Sequence, residues 1–413
     1  MGPLSRLARS RMLLLSGFLL VCLVSCAVNE EDLAKWKSLR EGEARLAGYL
    51  ASPERPVELR AQAARHLFDM GKAGHIAATL APLDEDDRRT VLEPILVGLA
   101  SRFTASQPNE ATQAKDLLYA LLPHTKKVDG VVLDAVLGKF MAWAQPFVGA
   151  PAAPPGRSVG LVITAAGLLH PGRIAMPIKT ELRFLEDPKR ILALVELTSA
   201  FGTPKVKVEV ADVLLYRTRQ IYPKLTDEHV LAMKSNGNPT LMRFVLDAAR
   251  DPELPVPLRT LSIEAAVEVL GKEAVPGLEA ALLAEDPTKG NSLRFVVLDA
   301  LFKVNKTRGL VETLEALPIG SGWPDEGTAF KDEIERFCDT NIASRSKKAK
   351  APLVAALSSR NSVARLFAAT CIRRLYRPEA RALLAPLRED QTLIRGYSAK
   401  GEIRLSALAR ELN

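Results

Sequence analysis

The chain writes one phrase more than once, and that repetition limits its fold more than any other feature. Pro56-Val57-Glu58-Leu59-Arg60 opens a stretch in which Leu59, Ala63, Leu67 and Met70 share a helical stripe, and the stretch closes on Gly71-Lys72. Proline suits the first turn of a helix, where its missing N–H costs nothing. Glycine adopts the left-handed conformation that ends one. A second helix, Ile76 to Leu83, follows at once. Pro255-Val256-Pro257-Leu258-Arg259 repeats the opening, with Leu258, Leu261, Ala265 and Val269 on one face. It closes on Gly271-Lys272, and Val275-Pro276-Gly277-Leu278 starts a partner helix through Leu283. A third copy begins at Leu293-Arg294-Phe295, with Leu310 to Leu317 as its partner. A fourth begins at Val363-Ala364-Arg365-Leu366, and its partner carries Leu384-Ala385-Pro386-Leu387, the same tetrapeptide as Leu80-Ala81-Pro82-Leu83. Arg259, Arg294 and Arg365 are separated by 35 and 71 residues, one and two steps of a single period. The missing step falls near Lys331, where Phe330, Ile334 and Phe337 form a stripe. One helix pair cannot bury its own apolar face, so such copies must stack.

A period near 35 with two helices per unit resembles degenerate HEAT-type repeats, carried by the Pro-Val-x-Leu-Arg openings, the Gly-Lys turns and the segment 275–278. The resemblance is good over 52–100 and 236–413 and poor over 146–235. The signature of tetratricopeptide arrays, which have a nearby period, is not visible. The resemblance implies an all-α chain, an α-solenoid of stacked antiparallel helix pairs that presents helix faces and inter-repeat loops to partners. A generic helical domain without true repeats is the alternative. Composition favours helices: 47% hydrophobic but only 5% aromatic residues means a core of Leu, Ala and Val.

The first residues carry an address. Arg6, Arg9 and Arg11 precede an apolar run, Met12 to Val24, which ends in Leu23-Val24-Ser25-Cys26. A basic start, a short apolar run and a small residue before the cut form a secretory signal. The cysteine at the cut resembles the lipobox of bacterial lipoproteins, which implies that Cys26 is acylated and becomes the first residue of the mature chain. Two other readings compete. The run falls short of the roughly 20 apolar residues that a spanning helix needs. A conventional cut after Ala27 would leave Cys26 unexplained. Two or three acyl chains anchor stably where one binds only marginally. Ala27 stands where the family's inner-membrane retention signal places Asp, which implies an outer-membrane address facing the periplasm.

This gives a signal peptide over 1–25, a lipidated tether over 26–31, N-terminal helical repeats over 32–145 and C-terminal HEAT-like repeats over 158–413. Between the repeats lies a Pro/Gly-rich stretch, 146–157, which cannot continue a helix. It reads as a semi-rigid linker or a long inter-helix loop. Pro318 to Gly327, holding Trp323, reads as an insertion displayed on one face. Removing 1–25 lowers the formal charge from +8 to +5, too little to point to nucleic acid without clustered basic and aromatic residues. The remaining 388 residues exceed the size at which one core stops growing. Cys338 and Cys371, 33 residues apart, fall on predicted helices in an oxidising compartment. A disulfide and two buried free thiols are both open there.

No catalytic pattern emerges. The five histidines are scattered, with no His-Glu-x-x-His. Gly71-Lys72 and Gly271-Lys272 lack the flanking residues of a phosphate loop and read as helix caps. Asp84-Glu85-Asp86-Asp87 lacks the spacing of a calcium loop and suits a helix start. Arg345, Lys347, Lys348 and Lys350 form a basic patch read as lying between helices, a solvated loop or a contact for an acidic partner or anionic headgroups. The opening arginines are expected to pair with an acid in the adjacent repeat. The sequence therefore predicts a non-catalytic envelope lipoprotein, with no metal, cofactor or small-molecule substrate evident. It would act as a membrane-tethered scaffold for another envelope protein, with Trp323, Arg345, Lys347, Lys348 and Lys350 as candidate contacts. An assembly or pilotin-type factor for an outer-membrane complex is one alternative. A HEAT-like enzyme of the bilin-lyase type is another, and a deep pocket with perturbed carboxylates or histidines would favour it.

Overall fold

The computed structural model describes residues 28–105, 107–150, 152–285, 293–317, 328–398 and 401–410. It divides into two compact units. Unit 1 runs through Glu181 and includes Ala200–Val206; unit 2 comprises Leu182–Ser199 and everything from Lys207.

Unit 1 begins with α1 (Glu30–Trp36), α2 (Gly42–Ala51), α3 (Val57–Asp69), α4 (Ala73–Leu80), α5 (Glu85–Arg102), α6 (Pro108–Leu121), α7 (Gly130–Ala144) and α8 (Val159–Leu169). Each helix packs on the second one after it. The odd members α1, α3, α5 and α7 form one layer, and the even members α2, α4, α6 and α8 form the other. Two layers of alternating helices are what stacked helix pairs produce. The seam is aliphatic: Leu46, Leu50, Leu67, Leu80, Leu92, Leu96, Leu118 and Leu137 are fully buried.

The sequence sets the helix ends. Pro56 precedes α3 as its N-cap, one place earlier than a first-turn proline would sit. At the other end Gly71 takes φ +74°, its N–H donates to Phe68 O at 2.8 Å, and Lys72 N–H donates to Leu67 O at 2.9 Å. That pair of bonds is a Schellman closure. Asp84 caps α5, its Oδ1 accepting from the N–H groups of Asp86 and Asp87 at 3.1 and 2.9 Å. Residues 146–157 lie within unit 1. Their far end is tied to α6, where buried Lys115 donates to Pro155 O at 3.1 Å and Arg157 N–H donates to Asp116 Oδ1 at 3.0 Å.

Three helices follow, α9 (Pro171–Phe184), α10 (Pro188–Phe201) and α11 (Pro204–Ile221). Unit 2 continues with α12 (Asp227–Asn236), α13 (Pro239–Ala248), α14 (Val256–Leu270), α15 (Val275–Ala284), α16 (Arg294–Asn305), α17 (Leu310–Glu315), α18 (Thr328–Phe337), α19 (Ser346–Ala356) and α20 (Ser362–Leu375). The same alternation holds: α12, α14 and α16 pack in succession, α13 packs on α15, and α17 on α19. Helix α18 supplies the step expected near Lys331. The chain is thus an all-α fold of stacked helix pairs, as the repeats predict.

Two features of unit 2 depart from that regularity. A single π-helical turn, Cys338–Ile342, follows α18. After α21 (Ala380–Leu383) an antiparallel hairpin, β1 (Leu393–Ser398) with β2 (Gly401–Arg404), precedes α22 (Leu405–Arg410). The sequence reading had no strand here. Ile394 is buried just before, and Tyr397 within, a register break between Arg395 and Ser398, so the period-2 alternation that marks a strand is lost. No helix among the described residues is long and apolar enough to cross a membrane.

Candidate interaction site

The opening arginines are structural clamps. Arg60 is fully buried. Its Nε donates to Leu50 O at 2.9 Å, and its two terminal nitrogens grip the Asp87 carboxylate, one at 2.8 Å. Arg259, 2% exposed, repeats this with Ala249 O at 2.8 Å and Glu285. Arg365 donates to Asp390 Oδ2 at 2.9 Å and to Ser359 O at 2.7 Å. Each arginine thus joins a carbonyl six or ten residues behind it to a carboxylate 25 to 27 residues ahead. All three pair with an acid, but only Asp87 lies on the next pair of helices; Glu285 and Asp390 follow the second helix of the arginine's own pair instead of standing in the adjacent repeat. The Arg60 hydrogen bond holds the Asp87 carboxyl below its ordinary range, outweighing burial. Arg294 differs: burial pushes its guanidinium down to about 10, opposed by Glu333 and Glu285, and it lies over the Phe295 ring at 5.2 Å.

Unit 2 carries a cleft of about 430 Å3 between α14, α16 and the segment 340–345. Thr260 and Glu264 line it from α14, Asp299 and Lys303 from α16, and Asn341 and Arg345 from the third side. At its floor Asn341 Nδ2 donates to Asp299 Oδ1 at 2.7 Å. Burial raises the Asp299 carboxyl above its ordinary value, against the opposing pull of Asn341 and Arg336. Burial likewise raises Glu333 on neighbouring α18. Lys306, also at the cleft, takes φ +58°, the one positive φ of a non-glycine residue among those described. Such backbone costs about 1–3 kcal/mol and persists only where its surroundings hold it.

The basic patch meets this cleft. Arg345, expected between helices, precedes α19, and Lys347, Lys348 and Lys350 stand in that helix's first turns rather than in a loop. The reason is local: Ala349, Leu353 and Ala356 recur at helical spacing and are buried. Lys350 is drawn to Glu379. Arg345, Lys347 and Lys348 are exposed, and among the described residues no carboxylate lies in ion-pair range of them or of Lys303 and Lys306.

Cys338 and Cys371 are joined by a disulfide, Cα–Cα 5.3 Å. The side chains meet between packed helices, which brings the Cα atoms nearer than the helix axes. The bridge fixes the start of the π-helical turn to α20. Beside it Arg374 grips Asp339 through two bonds of 2.6 Å and Glu335 at 2.7 Å. Phe337 packs edge-on against Phe302 and Phe367 at 5.7 and 5.8 Å, backing the cleft with a rigid core. Cys26 and Trp323 lie outside the described residues.

Asp299 and Asn341 were missed by the sequence reading because they are 42 residues apart and belong to no motif. The described residues hold no group of three His, Cys, Asp or Glu able to bind a metal ion. Burial lowers the pKa of His66, His124, His170 and His229 in four separate places.

No protein-family model matches this chain, and no curated protein matches it in sequence. Among solved structures it is similar to Kap121p, at 10% identity and a TM-score of 0.41, over 94% of this chain and 48% of that one. The chain therefore spans about half the length of Kap121p. It is also similar to an engineered protein at 13% identity and a TM-score of 0.26, over 93% of this chain and 99% of that one. The repeat architecture rests on this chain's own helix packing.

Proposed function

We propose that this protein is an exported, lipid-anchored and non-catalytic scaffold that engages an acidic surface of another envelope protein at the basic cleft of unit 2. The observation that carries the reading is a contrast in the use of charge. The buried opening arginines Arg60, Arg259 and Arg365 are committed to carbonyls and carboxylates within the stack. Arg345, Lys303 and Lys306 line one cleft, Lys347 and Lys348 follow Arg345 on α19, and among the described residues none of the five has a carboxylate in ion-pair range, although Glu264 and Asp299 share the cleft. Unpaired cations at one concavity steer an acidic partner and set its orientation. The anchor at Cys26 is supported by the lipobox pattern, and Ala27, standing where the retention signal places Asp, supports an outer-membrane address.

The test separates the anchor from the contact. Cys26→Ala is expected to leave the membrane fraction and lose acylation by mass spectrometry. Arg345→Glu combined with Lys348→Glu is expected to stay in the membrane but lose a salt-sensitive crosslinked partner. If the double variant retains that partner undiminished, the cleft is not the contact.

A catalytic reading has one observation in its favour, the raised Asp299 carboxyl inside a cleft. It would require Asp299→Asn to abolish a turnover while partner capture persists.

A further inference from the structure

A second concavity of unit 2, about 690 Å3, lies between α10, α11 and the start of α12. Leu182, Ile191 and Leu214 line it together with Arg217, Lys224 and His229. It shares no residue with the cleft at Arg345 and is independent of the scaffold reading.

His229 is built in. It is 8% exposed and sits in the first turn of α12, where Thr226 N–H donates to its Nδ1 at 3.2 Å. A backbone N–H can only donate, so Nδ1 is an acceptor and the neutral ring carries its proton on Nε2. Burial, with Arg217 nearby, lowers the ring's pKa against the opposing charge of Glu228. Nε2 has no protein partner among the described residues. Among the described residues Arg217 is held only by long bonds, to Leu185 O at 3.3 Å and Gln220 Oε1 at 3.4 Å, and its buried Nε finds no acceptor there. A guanidinium fork beside a neutral N–H donor matches the two oxygens of a carboxylate. Glu186 at the same cleft opposes a dianion, and the aliphatic lining suits a short hydrocarbon body.

We propose that this cleft binds a small aliphatic carboxylate, its oxygens accepting from Arg217 and His229 Nε2–H, with exposed Lys224 beside them and its chain against Leu182, Ile191 and Leu214. The probe is hexanoate, titrated into the full chain with the five histidines labelled with 15N and followed by NMR. The expected result is a saturable shift of the His229 Nε2 resonance that neither hexanamide nor inorganic phosphate reproduces. Arg217→Gln should weaken hexanoate at least tenfold. Lys224→Glu, on an exposed side chain that folding does not need, should weaken it severalfold and so test the site even if Arg217→Gln unfolds. An unmoved His229 signal, or Lys224→Glu binding as tightly as wild type, overturns the proposal. Equal saturation by phosphate would make this a general anion site and overturn the carboxylate assignment.

Discussion

The first repeat, 57–102, and the stretch 294–345 are built from the same helix-pair phrase, yet they use charge in opposite ways. In the first, the buried cation Arg60 has a carboxylate and a carbonyl set for it, and the helix ends on a glycine closure. In the second, an aspartate is buried until its carboxyl is harder to ionise. A lysine holds a glycine-like backbone angle, a helix gives way to a π turn, and among the described residues Lys303, Lys306 and Arg345 stand outside ion-pair range of any carboxylate. Regular stacking gives its buried cation a carboxylate and a carbonyl of its own. A site tolerates unsettled charge because something else is to settle it.

The largest expected effect lies in the regular region. Arg60→Ala leaves Asp87 half-buried and Leu50 O without its donor, and breaking a buried pair from one side costs about 3–5 kcal/mol. Arg60→Met, which fills the volume, should lose less. Lys347→Ala with Lys348→Ala should leave stability within about 0.5 kcal/mol, since neither is engaged. Urea unfolding measures all three. If the two lysines prove as costly as Arg60, the division between structural and available charge is wrong.

Cys338→Ser with Cys371→Ser is expected to cost about 2–4 kcal/mol, since the bridge closes a loop of 33 residues. The comparison sharpens if the double serine variant also weakens partner capture, because Cys338 begins the turn that presents Asn341 to the cleft. Thermal melts with and without reductant, on wild type and variant, separate the two effects.

The two regions should also respond to acid with opposite sign. Asp87 titrates below its unfolded value of about 3.9, so the stability from its pairing with Arg60 is present above that value and is lost as pH falls through the lower, folded one. Asp299 titrates above its unfolded value, so its neutral form favours folding below about pH 4, and that contribution is lost as pH rises through the folded value. Asp299→Asn should therefore stabilise unit 2 at pH 7 and make no difference near pH 3, whereas Asp87→Asn should destabilise at pH 7. Melting temperatures across pH 3–7 for both variants decide it; the same sign for both at pH 7 would break the contrast.

What the sequence made legible was whatever repeats over short distances. Leu59, Ala63 and Leu67, the openings at Pro56 and Pro255 and the Gly-Lys closures each depend on neighbours within one turn, so spacing alone reveals them. The arginine partners were legible only as a kind. Asp87, Glu285 and Asp390 lie 25 to 27 residues away, with no fixed residue type or interval. The cleft was not legible. Asp299 and Asn341 meet only because α16 and the π turn are neighbours in space, and nothing local announces a π turn at Cys338–Ile342. Arg345 reached the candidate contacts through charge density, the one long-range property that composition retains. The hairpin was hidden by its own register break.

The smallest effects come from two glycines in the regular region that invite the same methyl group with opposite outcomes. Gly71 closes α3 at φ +74°, and a Cβ there would meet nothing within 4 Å, so the only penalty is the backbone angle, about 1 kcal/mol for alanine. Gly98 stands exposed inside α5, and a Cβ there also meets nothing within 4 Å. Alanine there removes only the excess freedom of the unfolded chain and should stabilise by about 0.5–1 kcal/mol. Gly71→Ala should thus lower, and Gly98→Ala raise, the urea midpoint with an unchanged slope. Because neither touches a neighbour, the pair isolates backbone conformation from packing. If both variants moved the midpoint the same way, the closing role of Gly71, and with it the reading of the Gly-Lys turns as punctuation between stacked helices, would fail.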